Sequence, residues 1–166
     1  FSERNEMSET KRFMDLFHGY SLAHGQYRVQ KHEADGKVSG RAVTVSEPAT
    51  EKHFNHHLRG GEYILGIIML KDDNSCNFGC IDIDIRGEVK LKDTLEELEK
   101  KIRKTPLVMC RSKSGGAHLY LFCEPAIAAI DMVSKLNEFA AGLGYGGAEI
   151  FPKQISRANE MDRGNW

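Results

Sequence analysis

From Ile81 to Ile85 the chain alternates isoleucine with aspartate, Ile81-Asp82-Ile83-Asp84-Ile85. Alternation among β-branched residues predicts a strand with the isoleucines on one face and Asp82 and Asp84 together on the other. Downstream, Leu91, Leu95, Leu98 and Ile102 recur at helical spacing, and Asp93-Thr94-Leu95-Glu96 reads as a capping box. These predict an amphipathic helix that Pro106 closes. Leu107 to Cys110 reads as a second strand, Ser112-Lys113-Ser114-Gly115-Gly116 as a turn, and Ala117 to Cys123 as a third strand. From Ala126 onward, Ile130, Val133, Leu136, Ala140 and Leu143 mark a second helix that ends at the glycines around Gly142 and Gly144. Ala148 to Phe151 is a fourth strand, stopped by Pro152.

The resulting order is β-α-β-β-α-β, an α+β (mixed α/β) unit of the ferredoxin-like or RRM-like kind, with both helices on one face of a four-stranded sheet. Its first strand is central, between the third and the fourth. If Asp82 and Asp84 occupy the helix-free face, alternation sends His118, Tyr120 and Phe122 to that face and Leu119 and Leu121 to the core. On the fourth strand it sends Glu149 and Phe151 outward and Ile150 inward. The first half is less patterned. A short helix is expected around Thr10 to Phe17, and another from a Thr50 cap through His57 and Leu58 to Gly60-Gly61. Tyr63 to Leu70 reads as a strand in a hairpin with the Asp82 strand, which conflicts with a central strand that already has two neighbours.

At 166 residues, with 40% hydrophobic and 28% charged positions, the chain suits one domain with a real core. Residues 1–75 are expected to form an N-terminal lobe and residues 76–166 a catalytic lobe. No apolar run approaches a membrane span, and the polar N-terminal stretch is not a signal peptide. Four cysteines in such a chain read as reduced thiols, which suggests a cytoplasmic protein. The chain starts at Phe1 rather than Met and reads as a domain cut from a longer protein. A net charge of -1 gives no global sign of nucleic-acid binding. Lys100, Lys101, Arg103, Lys104, Arg111 and Lys113 cluster locally, as do Lys153 and Arg157, although charge clusters are most often solvated faces.

Two carboxylates on one strand face repel each other, and a hard divalent cation relieves the repulsion. An isolated D-x-D is more often just an acidic strand face. With Glu149 on one neighbouring strand and His118 on the other, three carboxylates and a histidine share one face. Two-metal nucleotidyl transfer needs such a set. An RNA-binding RRM, which stacks bases on aromatics there, would be repelled by these acids. Arg111 to His118 combines glycines, hydroxyls and cations that suit a phosphate-binding turn. Cys76-Asn77-Phe78-Gly79-Cys80 with Cys110 and Cys123 lacks paired zinc spacing, and Cys110 and Cys123 are assigned inward positions as buried thiols. His53, His56 and His57 have the i, i+3, i+4 spacing of a metal face but read better as a surface helix.

Asp82-Ile83-Asp84, Ser112 through Phe122, and Glu149-Ile150-Phe151-Pro152-Lys153-Gln154 together resemble the three motifs of the archaeo-eukaryotic primase superfamily. The likeness is to the bacterial and phage branch of TOTE-conflict and CRISPR-associated primase-polymerases. Arg41-Ala42-Val43-Thr44 and His57-Leu58-Arg59-Gly60 also resemble that branch. The resemblance implies an RRM-like catalytic half packed with an N-terminal α/β half. It implies a DNA primase or polymerase of DNA replication, with Asp82, Asp84 and Glu149 as metal ligands for Mg²⁺ or Mn²⁺ and His118 on the phosphates of an NTP or dNTP. Arg111, Ser112, Lys113, Ser114, Gly115, Gly116 and Lys153 would complete the nucleotide site. In the family's S-x-H motif a serine stands two residues before the histidine, whereas here that residue is Gly116. The implied partners are a single-stranded DNA template and nucleoside triphosphates, with helicase, nuclease or CRISPR modules elsewhere in a full-length protein and a bacterial or phage-infected cytoplasm as the setting. The alternatives are a palm that makes cyclic or oligonucleotide signals without polymerising, and an RRM-like binding module with a vestigial site.

Overall fold

The computed structural model describes residues 8–32, 38–84, 88–112, 115–159 and 161–166. Its N-terminal part runs α1 (Glu9–Leu16), β1 (His24–His32), β2 (Val38–Val45), α2 (Glu51–Leu58) and β3 (Ile64–Gly66). Ser8 caps α1 by accepting the Lys11 N–H at 3.2 Å. At the start of α2 the Thr50 N–H donates to His53 Nδ1 at 3.0 Å. The three strands form an antiparallel sheet in the order β2-β1-β3.

The second part runs β4 (Ser75–Ile83), α3 (Glu88–Ile102), β5 (Val108–Arg111), β6 (Ala117–Ala128), α4 (Ala129–Leu143) and β7 (Glu149–Phe151). Its antiparallel sheet has the order β5-β6-β4-β7, so the aspartate strand is central between the third and fourth strands of the unit, as the pattern predicts. Ile81, Ile83, Leu119 and Leu121 bury their side chains against Leu98 and Ile102 of α3 and Met132, Leu136 and Ala140 of α4. Burial of each large aliphatic side chain is worth about 1.5–3 kcal/mol. Gly79 lets α4 come close: a Cβ there would stand 2.7 Å from Leu136 Cδ1 and 2.8 Å from both Met132 Cγ and the Phe151 carbonyl. Gly144, at φ 89°, ends α4, with the Gly144 and Tyr145 N–H groups donating to the carbonyls of Ala141 and Ala140. This turn leads the chain directly into β7.

Four expectations need correction. The segment Tyr63 to Leu70 is a strand only over Ile64–Gly66, and it pairs with β1 rather than with the aspartate strand. The conflict over a third neighbour therefore disappears, and Ile68 and Leu70 are buried outside any strand. The helix expected from Asp93 starts at Glu88, so the capping-box residues lie inside it. The strands β1 and β2 have no counterpart in the pattern-based reading. Finally, the face opposite α3 and α4 is not wholly open. Phe17, just past α1, packs edge-on against Phe78, Tyr120 and Phe122 with centroids 5.2–5.3 Å apart. That contact covers one end of the face and leaves the Asp82 end open.

Behind the strand face, Arg157 ties the chain together. Its guanidinium lies 3.7 Å from the centroid of Tyr20 and donates to the carbonyls of Leu70, Lys71 and Asp162. Its N–H donates to Asn74 Oδ1 at 3.0 Å, while the Asn74 carbonyl accepts the first N–H of α4. Asn74 sits at φ 59°, a left-handed conformation that asparagine tolerates. Arg157, grouped by sequence with a basic cluster, is thus a structural clasp. Of the other cluster, Lys101 and Arg103 pair with Glu97 and Glu99 along the exposed side of α3.

Candidate active site

Alternation along β4 carries Phe78, Cys80 and Asp82 to the face away from α3 and α4, and pairing registers set what lies beside them. Opposite Asp82 stand His118 on β6 and Glu149 on β7, and opposite His118 stands Cys110 on β5. One row across four strands therefore reads Cys110, His118, Asp82, Glu149. The next row holds Val108, Tyr120, Cys80 and Phe151. Asp84 follows immediately after the end of β4 and is exposed. With Asp82, Glu149, Tyr145, Gly147 and Ala148 it lines an open cleft of about 790 Å³, within the usual range of small-molecule sites, about 300–1,000 Å³.

The electrostatics follow from this crowding. Partial burial pushes the Asp82 carboxyl above the ordinary carboxylate range. His118 pulls it back down, the Asp84 and Glu149 charges push it up further, and Lys153 lowers it. His118 Nε2 is 3.5 Å from Asp82 Oδ1, and its Nδ1 is 3.2 Å from the Tyr120 hydroxyl. Burial first, and then the neighbouring Cys80, Cys110 and Asp82, hold the Tyr120 phenol in its neutral form. A neutral phenol can donate to Nδ1, and in that tautomer Nε2 carries the ring hydrogen and faces the acids. Glu149 accepts a hydrogen bond from Lys153 Nζ at 2.8 Å, and that ammonium also lies 4.9 Å from the Phe151 ring centroid.

The other named residues distribute unevenly. Arg111 is exposed and pairs with Ala117, so alternation sends it to the face opposite His118. In the β5–β6 turn the Ser112 N–H donates to the Gly116 carbonyl and the Gly115 N–H to the Ser112 carbonyl, which uses both groups within the turn. Lys113, Ser114 and Ile85 lie outside the described residues. Cys110 is exposed rather than inward, because it pairs with His118 in the outward row, while Leu107 and Met109 face the core; Cys123 is half-buried against that core. Cys76 and Cys80 are buried, with the Cys76 thiol pushed up to about 11 chiefly by burial, so neither is a ready nucleophile. The α2 histidines each have a partner of their own. His53 lies against His24, His56 stacks on Tyr63, and His57 Nδ1 accepts the Leu65 N–H. Tyr120 was placed on the open face by sequence but given no role; its signal was its position two residues from His118 on the same strand face.

Residues 10–141 match the family described as the archaeo-eukaryotic primase domain of TOTE conflict systems. The chain belongs to this family. A comparison with curated proteins finds no significant match. The family is one of primase-type nucleotidyltransferases, whose domains generally work with divalent metal ions. The matched residues include Asp82, Asp84 and His118, whereas Glu149 lies beyond them and joins the site through its pairing with Asp82.

As the side chains stand, no three His, Cys, Asp or Glu groups among the described residues gather closely enough to cage an ion. The donor chemistry nevertheless suits Mg²⁺ or Mn²⁺. Asp82, Asp84 and Glu149 offer hard carboxylate oxygens along an open cleft, and a cation would relieve the repulsion that Asp84 and Glu149 add to the effect of burial on Asp82. Among the described residues no helix is long and apolar enough to cross a membrane.

Proposed function

We propose that this domain is a template-dependent DNA primase-polymerase that adds NTPs or dNTPs to a primer, or starts a chain de novo, on single-stranded DNA. The observation that carries the reading is the register row in which Asp82 stands between Glu149 and His118, with Asp84 next along the chain. Asp82, Asp84 and Glu149 would hold the divalent ions, which supply activation of the attacking hydroxyl and neutralisation of the triphosphate when bound.

The protein's own groups do the rest. His118, oriented by Tyr120, offers an N–H at the edge of the acids, where a phosphate oxygen can accept it. The cleft floor at Gly147 and Ala148 is small enough in side-chain volume to admit a nucleotide beside Glu149. Primer extension on a single-stranded template with labelled nucleotides tests the reading. The wild-type domain is expected to give extended products, and Asp82→Ala with Asp84→Ala is expected to abolish them while circular dichroism stays native. Full extension by that variant would refute the assignment, and small cyclic products from the wild type would replace it with a signal-nucleotide synthase.

A further inference from the structure

Glu149 is placed to complete the acidic site, yet it is engaged elsewhere. Its Oε1 accepts from Lys153 Nζ at 2.8 Å, and the same ammonium is seated over the Phe151 ring. Glu149, Phe151 and Lys153 occupy every second position, and the first two project outward from β7. Lys153 therefore folds back along the outer side of its own strand towards the acids. The carboxylates do not form a cage as they stand, so one positive charge, supplied by the chain, balances part of an acidic cleft.

We propose that Lys153 is a built-in counter-ion, a positioning residue that holds Glu149 when no divalent ion is bound and exchanges Glu149 for the anionic phosphates of the nucleotide once an ion takes over the carboxylate. The proposal rests on the nucleotidyltransferase reading of this site and adds an order of events to it. The exchange conserves charge: the ammonium leaves one anion for another while the metal replaces it at Glu149. It is also energetically easy. Lys153 and Glu149 keep 45% and 56% of their side-chain surface in solvent, and ion pairs so exposed are weak and readily broken.

The test measures Mn²⁺ binding to the domain without nucleotide, by the electron paramagnetic resonance of the free ion, and then binding of a non-hydrolysable nucleoside triphosphate in saturating Mn²⁺. Lys153→Gln is expected to bind Mn²⁺ about twofold to fivefold more tightly than wild type, the range that loss of one exposed ion pair implies, and to bind the nucleotide more weakly. Lys153→Arg, which keeps the charge, is expected to restore wild-type metal affinity. Unchanged or weaker Mn²⁺ binding in Lys153→Gln, with Asp82→Asn still abolishing it, would overturn the counter-ion role and leave the site assignment standing. Mn²⁺ binding that survives Asp82→Asn would overturn both.

Discussion

The four-stranded sheet hides its apolar face behind α3 and α4, which come from the same stretch of sequence, whereas the three-stranded sheet is covered from far along the chain. Trp166 lies flat on β1 and β3, and its indole N–H donates to Thr44 on β2, 122 positions away. The contact needs bare backbone beneath it. A Cβ at Gly25 or at Gly66 would stand 2.0 Å from the indole ring. In the first sheet, then, glycine admits a helix at Gly79; in the second, glycine admits an aromatic ring from far along the chain. The comparison teaches that the same local device serves a core built from neighbouring elements in one region and a single long-range ring contact in the other.

The same substitution in both sheets breaks this comparison open. Gly79→Ala forces its new methyl against Leu136, Met132 and the Phe151 carbonyl, and the last is backbone that cannot rotate away. Overpacking of this kind costs about 1–3 kcal/mol, and because β7 is the strand that moves, nucleotide incorporation should fall with stability. Gly66→Ala meets side-chain atoms of the Trp166 indole and no backbone. Its expected cost is smaller, and its signature is different: Trp166 is the single tryptophan, so its emission should shift to the red while the acidic site is untouched. Equal losses of melting temperature in the two variants, with no red shift in Gly66→Ala, would remove the distinction.

The same contrast explains what could be read from sequence. Strict alternation at Ile81 to Asp84 and at His118 to Phe122, with an apolar-striped helix after each, fixes both the strand order and the shared face of Asp82, His118 and Glu149, because a buried face tolerates no slip. The three-stranded sheet gives no such signal. β1 and β2 carry Gly25, Gly40, Arg28 and Arg41, with Val29 and Val43 exposed, so hydrophobicity does not alternate and the strands are invisible to a period-two search. The covering of Phe78, Tyr120 and Phe122 by Phe17, the Arg157 clasp and the Lys153–Glu149 pair are all contacts between residues whose partners no local pattern names. Cys110 faces outward because its pairing partner is His118, a register that the short Leu107 to Cys110 run does not announce by itself.

Function and stability should also conflict at the open end of the four-stranded sheet and nowhere in the three-stranded one. Asp82 is held above its ordinary value of 3.8 first by burial and then by Asp84 and Glu149. A carboxyl raised on folding favours the folded state most below its unfolded value, and that benefit is lost as pH rises through the folded value, so at neutral pH its charge works against folding. Asp82→Asn is therefore expected to raise the melting temperature at pH 7 by a few degrees, the scale of a single stabilising substitution, while abolishing nucleotide incorporation. At pH 3 the two proteins should converge. A lower melting temperature for the variant at pH 7 would show that the acids are held by attractions stronger than their mutual repulsion.

The smallest expected effect belongs to α2, which packs beside the three-stranded sheet. Burial, and then the nearby His24, pull His53 below its ordinary 6.5, partly offset by Glu47; burial and His56 do the same to His57. For these imidazoles the unfolded chain binds protons more readily than the folded one, so their contribution is complete above about pH 6.5 and fades as pH falls below it. The sign is opposite to that of Asp82, whose window lies further into acid. Glutamine can stand in for both without a charge, since its amide oxygen can accept the N–H groups of Thr50 and Leu65 that the two rings now receive. Melting temperatures between pH 8 and 5.5 should therefore fall less steeply in His53→Gln with His57→Gln than in wild type, and parallel slopes would place the acid sensitivity of the fold elsewhere.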